Sequence, residues 1–476
     1  MAWELEAGGT VPYASLATLM KHSEASCYNR PTSSELGNLM WRWLLPIAAV
    51  ALVGCSERGL RLPQSPLLAA LERKSGLIAY VGPDGNVYTI DQGGGNQSMI
   101  TDDAHPAQEG VRRFYDFPTW SAADNRLAFV GFEVDQEGRT SAGIFTAEPE
   151  AQPPVEVYSS EEHLPFYLYW SPDGEWVSFL SSSLGSNSMA MQLASAEGGE
   201  AALIDTGRPF YWAWAPEGMQ VLAHVGGSSA VNPGAARISF LEMDPFVRAI
   251  GLSLEPTNFQ APAYSPDGEY VLLAGDSGDG QPQLVLADSS GEVLRSLADY
   301  DGSIAFSWAP RGGYAAYLSG DMSRQALIGD LAFVDLRRPA EPQQIKTDAD
   351  RVLGFFWAPD GKKVAYFVPV LFSDAAEGEE QTAENTQFLL ELHIAEARNG
   401  ITRRIAAFQP TQTFLNIFPF FDQYQRSVTI WSPDSNYLVV SAVASPEQQG
   451  LFVVPASGDY EPRFLAEGNV GFWSWK

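Results

Sequence analysis

The stretch "YWSPDGEWVSFL", residues 169–180, ends one strand, makes a tight turn and starts another. Pro172 fixes φ for the first corner, Asp173 tolerates the second, and Gly174 supplies the positive φ that returns the chain as a hairpin. Trp170, just ahead of the turn, can bury roughly 150–250 Å² between neighbouring sheets. At about 25 cal/mol/Å² such an anchor contributes roughly 4–6 kcal/mol before entropy is charged against it.

The same form recurs along the chain: "TWSAADNRLAFV" from Thr119, "AWAPEGMQVLAHV" from Ala213, "AYSPDGEYVLLAG" from Ala263, "SWAPRGGYAAYL" from Ser307, "FWAPDGKKVAYFV" from Phe356 and "IWSPDSNYLVVSA" from Ile430. The aromatic anchors are Trp120, Trp170, Trp214, Tyr264, Trp308, Trp357 and Trp431, separated by 50, 44, 50, 44, 49 and 74 residues. That period is close to one four-stranded propeller blade. After each turn the chain reads as three more strands, so a repeat is a meander A–B–C–D with the anchor on A. Closing the meanders into a ring hides the edges that an open array would expose.

The chain's two ends complement one another. "GLIAYVGPDGNVYTIDQ" (Gly76–Gln92) and "SMITDD" (Ser98–Asp103) read as strands B, C and D without an A. "NVGFWSWK" (Asn469–Lys476) reads as an A strand with nothing after it, and Trp475 follows Trp431 by 44 residues, one blade interval. The expected fold is therefore all-β: a single β-propeller of four-stranded blades over residues 76–476, closed by its C-terminal strand. Trp475 as an eighth anchor gives eight blades. Seven is the alternative if the degenerate "WSAADN" copy or the long interval misleads.

The W-S-P-D-G turn followed by an apolar strand resembles the TolB-type propeller repeat, also found in the propeller domains of prolyl-oligopeptidase-like proteins. The resemblance covers nearly all of residues 77–476 and is specific for fold. It says much less about function, because one fold hosts many activities.

Upstream, "MWRWLLPIAAVALVGCSERG" places Arg42 before an apolar run from Leu44 to Val53, followed by Gly54 and Cys55. The run is too short to span a bilayer, which takes roughly 20 residues, and reads as a signal-peptide core. "LVGC", Leu52–Cys55, resembles the lipobox of bacterial lipoproteins, in which the cysteine receives the lipid. The resulting division is a leader over residues 1–39 that is either mis-assigned or disordered, a lipoprotein signal over 40–54, lipidation at Cys55, a linker over 55–75 and the propeller. Several acyl chains would hold such a protein firmly where one alone is marginal.

The formal charge is −29, with acidic residues spread along the chain. Phosphate binding needs a basic surface, so nucleic acid is excluded as a partner. Strings that look catalytic in isolation read as turns: "GDSGDG" (275–280) lies between strands B and C of one blade, and "GGGNQS" (93–98) precedes no helix. His105, His163, His224 and His393 show no metal-ligand spacing, although ring closure could bring His105 and His163 together. No cofactor or metal is expected.

The functional signal is a distribution. D-to-A and B-to-C connections emerge opposite the Pro-Asp-Gly turns, and the D-to-A segments gather Phe114, Tyr115, Phe166, Tyr167, Phe210 and Tyr211, with Arg112, Arg113 and Arg208 beside them. Two insertions on that face, residues 372–387 and 408–427, account for the 74-residue interval. The first is acidic. The second, "FLNIFPFFDQY", carries Phe414, Phe418, Phe420, Phe421 and Tyr424, which have no evident blade-packing duty and form the candidate contact surface.

The expected function is a non-catalytic, extracytoplasmic, lipid-anchored propeller that serves as a protein-binding module or scaffold in the cell envelope. It would be periplasmic or at the outer surface, monomeric, touching the membrane only through its anchor. Its partner would be an envelope protein or extracellular ligand. The alternative is a small molecule, sugar or peptide, held or sensed in the central channel; a propeller enzyme is the third reading.

Overall fold

A computed structural model describes residues 74–476, apart from 107–109, 150–152, 184–188, 227–235, 244–246, 277–279, 324–325, 374–385 and 446–447. The leader, the signal segment, Cys55, most of the linker, the tip of "GDSGDG" and most of the acidic insertion lie outside the described residues. The described chain is an eight-bladed β-propeller.

Blade 1 is built from both ends of the chain, with strand order Ser98–Met99, Val87–Ile90, Ile78–Val81, Gly471–Trp473. Blades 2 to 7 each use four consecutive strands, opening with Arg112–Trp120, His163–Trp170, Phe210–Trp214, Ala263–Tyr264, Ser303–Trp308 and Gly354–Trp357. Blade 8 contains Tyr437–Ser445, Gln448–Pro455 and Arg463–Glu467, and its inner position is filled in two pieces, described below. All ladders are antiparallel, so each blade is a meander as its turns dictate. The core consists of wedges between adjacent blades: blades 1 and 2, for example, enclose Ala79, Val87, Trp120, Leu127 and Phe129.

Each repeat turn is held the same way. The residue after the anchor donates its N–H to the carbonyl five residues on, as in Ser171 to Trp176 (2.8 Å), Ala215 to Gln220 (2.9 Å) and Ser432 to Tyr437 (2.9 Å). In the copies with Ser171, Ser265 or Ser432 there, the hydroxyl also accepts the returning N–H, at 3.0 Å from Trp176, 2.9 Å from Tyr270 and 2.9 Å from Tyr437. It donates in turn to the motif aspartate, at 2.6 Å for Ser265–Asp267 and Ser432–Asp434. Gly174, Gly268 and Gly361 supply the left-handed corner, with φ of 76°, 73° and 66°. Ser435 and Asn125 take the same conformation in the copies that lack this glycine.

This turn geometry corrects the closing anchor. Ser474 donates its N–H to Leu77 O at 2.7 Å, and its hydroxyl accepts from Leu77 N at 3.0 Å, the bonds that Ser171 makes with Trp176. The residue before it, Trp473, therefore occupies the anchor position, facing Ile78 in the ladder and 0% exposed. Trp475 falls instead where other copies place the turn proline. Anchor indoles also bridge blades: Trp120, Trp170 and Trp431 donate to the carbonyls of Phe472, Thr119 and Phe356 at 3.1, 3.1 and 2.9 Å. Each acceptor directly precedes the anchor of the neighbouring blade, which again assigns Trp473.

In blade 8, Pro410 faces Ala442 and Trp431 faces Leu438 on the same partner strand. The inner chain thus advances 21 residues while its partner retreats four, so 17 residues are looped out of a strand whose register is otherwise continuous. The aromatic insertion leaves from within the inner strand and re-enters it.

Candidate functional site

The looped-out segment folds into a helix α1 (Gln412–Leu415), a 3₁₀ turn (Phe418–Phe420) and a helix α2 (Phe421–Ser427). Thr411 caps α1, accepting from Phe414 N at 3.3 Å while donating to Asn469 O at 3.0 Å. Its aromatic residues turn inward, contrary to the expectation of an exposed patch. Phe414, Phe418 and Phe421 are 1–2% exposed. Phe418 packs edge-on against Phe367 at 5.0 Å, and Phe421 against Phe355 at 5.2 Å. Gly354 lets the two rings close over it, since a Cβ there would meet the Phe418 and Phe421 rings at 3.0 Å. Burying each ring contributes about 1.5–3 kcal/mol, so these residues are core and not a contact surface.

The helix α2 plugs the ring's axis. It touches the inner strands of blades 3, 4, 6 and 7. Gln423 accepts from Trp212 N at 3.1 Å and donates to Trp212 O and Tyr167 Oη at 3.0 Å each. Asp422 accepts from Ala261 N at 2.8 Å, and Thr119 donates to Ser427 O at 2.6 Å. Burial raises the Asp422 carboxyl above the usual carboxylate range. Asp116, at a bulge where Phe117 adopts φ 56°, accepts from Phe117 N at 2.8 Å, and burial pushes it up to about 6. Its charge in turn raises the Tyr424 phenol beyond what burial does.

The remaining candidates divide. Phe166, Tyr167, Phe210, Tyr211, Phe420 and Tyr424 do come together, with Gln423, around a cavity of only about 80 Å³. Phe114 stacks on Phe132 at 5.2 Å within blade 2. Tyr115 is buried and donates to Asp103 at 2.6 Å. Arg113 is held by Asp103 and Glu133, at 2.5 Å each. Arg112 and Arg208 are partly buried and line none of the cavities at the axis. Buried His224 makes its ring bond to Gln260 O at 3.0 Å, and His393 meets Glu391 at 3.1 Å. Among the described residues no group of three or more His, Cys, Asp or Glu side chains converges as a metal site would, and no helix is long and apolar enough to cross a membrane.

On the opposite face, where the repeat turns lie, the axis opens into a cup of about 410 Å³. Its wall is Tyr169, Trp214, Tyr264, Trp308, Trp357 and Trp475, and Gln425, Arg426, Val428 and Thr429 close it from the plug side. A second recess of about 230 Å³ shares Arg426 and Trp475 with it. Arg426 donates to the carbonyls of Asp422 and Ala261 at 3.2 and 3.3 Å, and among the described residues no carboxylate lies within ion-pair distance of it. Trp475 is fixed by donating to Trp120 O at 3.1 Å. Among the described residues, Trp308, 8% exposed, and Gln425 have side-chain N–H groups with no partner. The sequence reading missed Gln423, Gln425 and Arg426. The one hint is the polar string "DQYQRS", residues 422–427, next to an aromatic run.

No protein-family model matches the chain, and no curated protein matches it. Among solved structures it is similar to TolB from Acinetobacter baumannii, at 12% identity and a TM-score of 0.33, covering 78% of this chain and 87% of that one. It is also similar to a eukaryotic initiation factor, at 13% identity and a TM-score of 0.46, covering 84% and 98%. A third is oligogalacturonate lyase in complex with manganese, at 12% identity and a TM-score of 0.42, covering 80% and 97%. At these identities and TM-scores the likenesses carry no argument about function.

Proposed function

We propose that the chain is a non-catalytic binding propeller of the bacterial cell envelope, tethered through Cys55, whose partner protein seats a segment in the cup on the turn face. One observation carries the site: the plug closes the axis from the D-to-A side and leaves on the turn face a cup walled by the anchors Trp214, Tyr264, Trp308 and Trp357 together with Tyr169 and Trp475. Aromatic pockets that exclude water are where binding energy concentrates. The envelope assignment rests on the signal segment and "LVGC".

The test is affinity capture from detergent-solubilised native envelope, with the unaltered chain and Ala122→Trp as baits. Ala122 is exposed and lines both recesses, so the larger side chain fills the cup without touching the core. A partner held by the unaltered chain and lost by A122W supports the reading, and an identical captured set overturns it. In parallel, Cys55→Ser should shift the protein from the membrane to the soluble fraction.

A further inference from the structure

The cup's polar groups are unbalanced in sign. Arg426 brings a guanidinium whose hydrogen bonds go to two backbone carbonyls at 3.2 and 3.3 Å, long for a charged donor. Trp308 Nε1 and Gln425 Nε2, both buried beside the same cavity, donate to nothing among the described residues. An unpaired buried polar group carries a desolvation cost that an acceptor on a ligand would relieve. Other indoles around the ring are engaged, Trp475 with Trp120 O at 3.1 Å and Trp357 with Ser307 O at 3.4 Å. What the cup offers is donors, one of them cationic, inside aromatic walls.

Resting on the cup as the binding site, we propose that it recognises one carboxylate carried on a flat apolar body. The Arg426 fork takes the carboxylate, in the planar two-point geometry that guanidinium favours. The rings of Trp214, Trp308, Trp357 and Trp475 receive the body. A chain of net charge −29 repels polyanions, so the ligand is a monoanion with a neutral or basic remainder. Two sources share this chemistry: a free aromatic acid, and the C-terminal residue of a polypeptide ending in an aromatic side chain.

The experiment titrates the unaltered chain calorimetrically with indole-3-acetate, indole-3-acetamide, the peptide acetyl-Gly-Gly-Trp as acid and as amide, and inorganic phosphate. Acids binding at least about ten-fold tighter than their amides is the expected result. Arg426→Gln should abolish that preference while leaving amide affinity unchanged. The acid–amide comparison needs no variant, so a misfolded R426Q leaves the test intact. A peptide acid tighter than indole-3-acetate assigns a polypeptide terminus, and the reverse order assigns a free acid. Equal binding of acids and amides, or phosphate binding as tightly as the acids, overturns the inference. Loss of capture in A122W with equal acid and amide binding would leave the cup as the site and remove only the carboxylate; no capture difference and no titration signal would remove both.

Discussion

Gln423 holds the main chain of Trp212 as a neighbouring strand would, accepting its N–H at 3.1 Å and donating to its carbonyl at 3.0 Å. One side-chain amide thus replaces a rung of ladder between the plug and blade 4. Gln423→Ala leaves both groups buried without partners, at roughly 1–3 kcal/mol each. The variant should melt several degrees lower, and the Trp212 amide should exchange faster with deuterium. Gln425→Ala, whose amide nitrogen has no partner, should lose little. Equal melting of the two variants would refute the docking role.

Excising residues 411–427 should leave a folded ring. The 17-residue loop-out means that Pro410 can join Val428 without shifting the pairing of Trp431 with Leu438. Far-UV circular dichroism should retain the strand signal while the melting temperature falls, because Phe355, Phe356 and Phe367 lose the rings that cover them. Removing the same number of residues starting at 405 should abolish folding, since it breaks the Thr402–Phe408 strand.

Deleting residues 471–476 should abolish the cooperative melt. The deletion strips blade 1 of its inner strand, breaks the pairing of Ile78 with Trp473 and removes the Phe472 carbonyl that receives the Trp120 indole at 3.1 Å. A melting temperature within a few degrees of the intact chain would show that closure contributes little.

Asp116 gives the ring a pH dependence of known sign. Its folded pKa of about 6 lies above the ordinary carboxylate value, so between roughly pH 4 and 6 the unfolded chain releases a proton that the folded one keeps. Stability contributed by this group therefore falls as pH rises through that window, by roughly 2–3 kcal/mol at most. Asp116→Asn should melt higher than the unaltered chain at pH 7 and alike at pH 4. His224, lowered to about 4 by burial, works in the opposite direction and loses stability as pH falls from about 6.5. Subtracting the D116N profile from the unaltered one isolates the aspartate.

The ring was legible because its turns are local chemistry: Pro172, Asp173 and Gly174 specify a corner wherever they stand. Closure was legible from two incomplete blades. The anchor was misplaced by two residues because "WSW" offers two tryptophans, 42 and 44 residues after Trp431, and spacing accepts either. Bonds between opposite ends of the chain separate them: Ser474 with Leu77, and the Trp120 indole with Phe472 O. The insertion was misread because aromatic composition does not say which way a ring points. Phe414 and Phe418 point inward because they pack on Phe356, Phe367 and Phe408 of blade 7, contacts that a reading of composition does not reveal. Gln423 could not be placed from sequence, since its partner Trp212 lies 211 residues away.

The interruption in blade 8 separates two kinds of inheritance. Turns, anchors and closing strand preserve the ring, while the residues between Pro410 and Val428 furnish the cup's floor with Gln425 and Arg426. A substitution at Gln425 or Arg426 can change what the molecule selects while Gln423, Phe418 and Phe421 keep the segment docked on the blades, so recognition is free to diverge faster than architecture. For protein engineering, the same junction is a socket: floors of other chemistry can be exchanged at a fixed point in an unchanged frame.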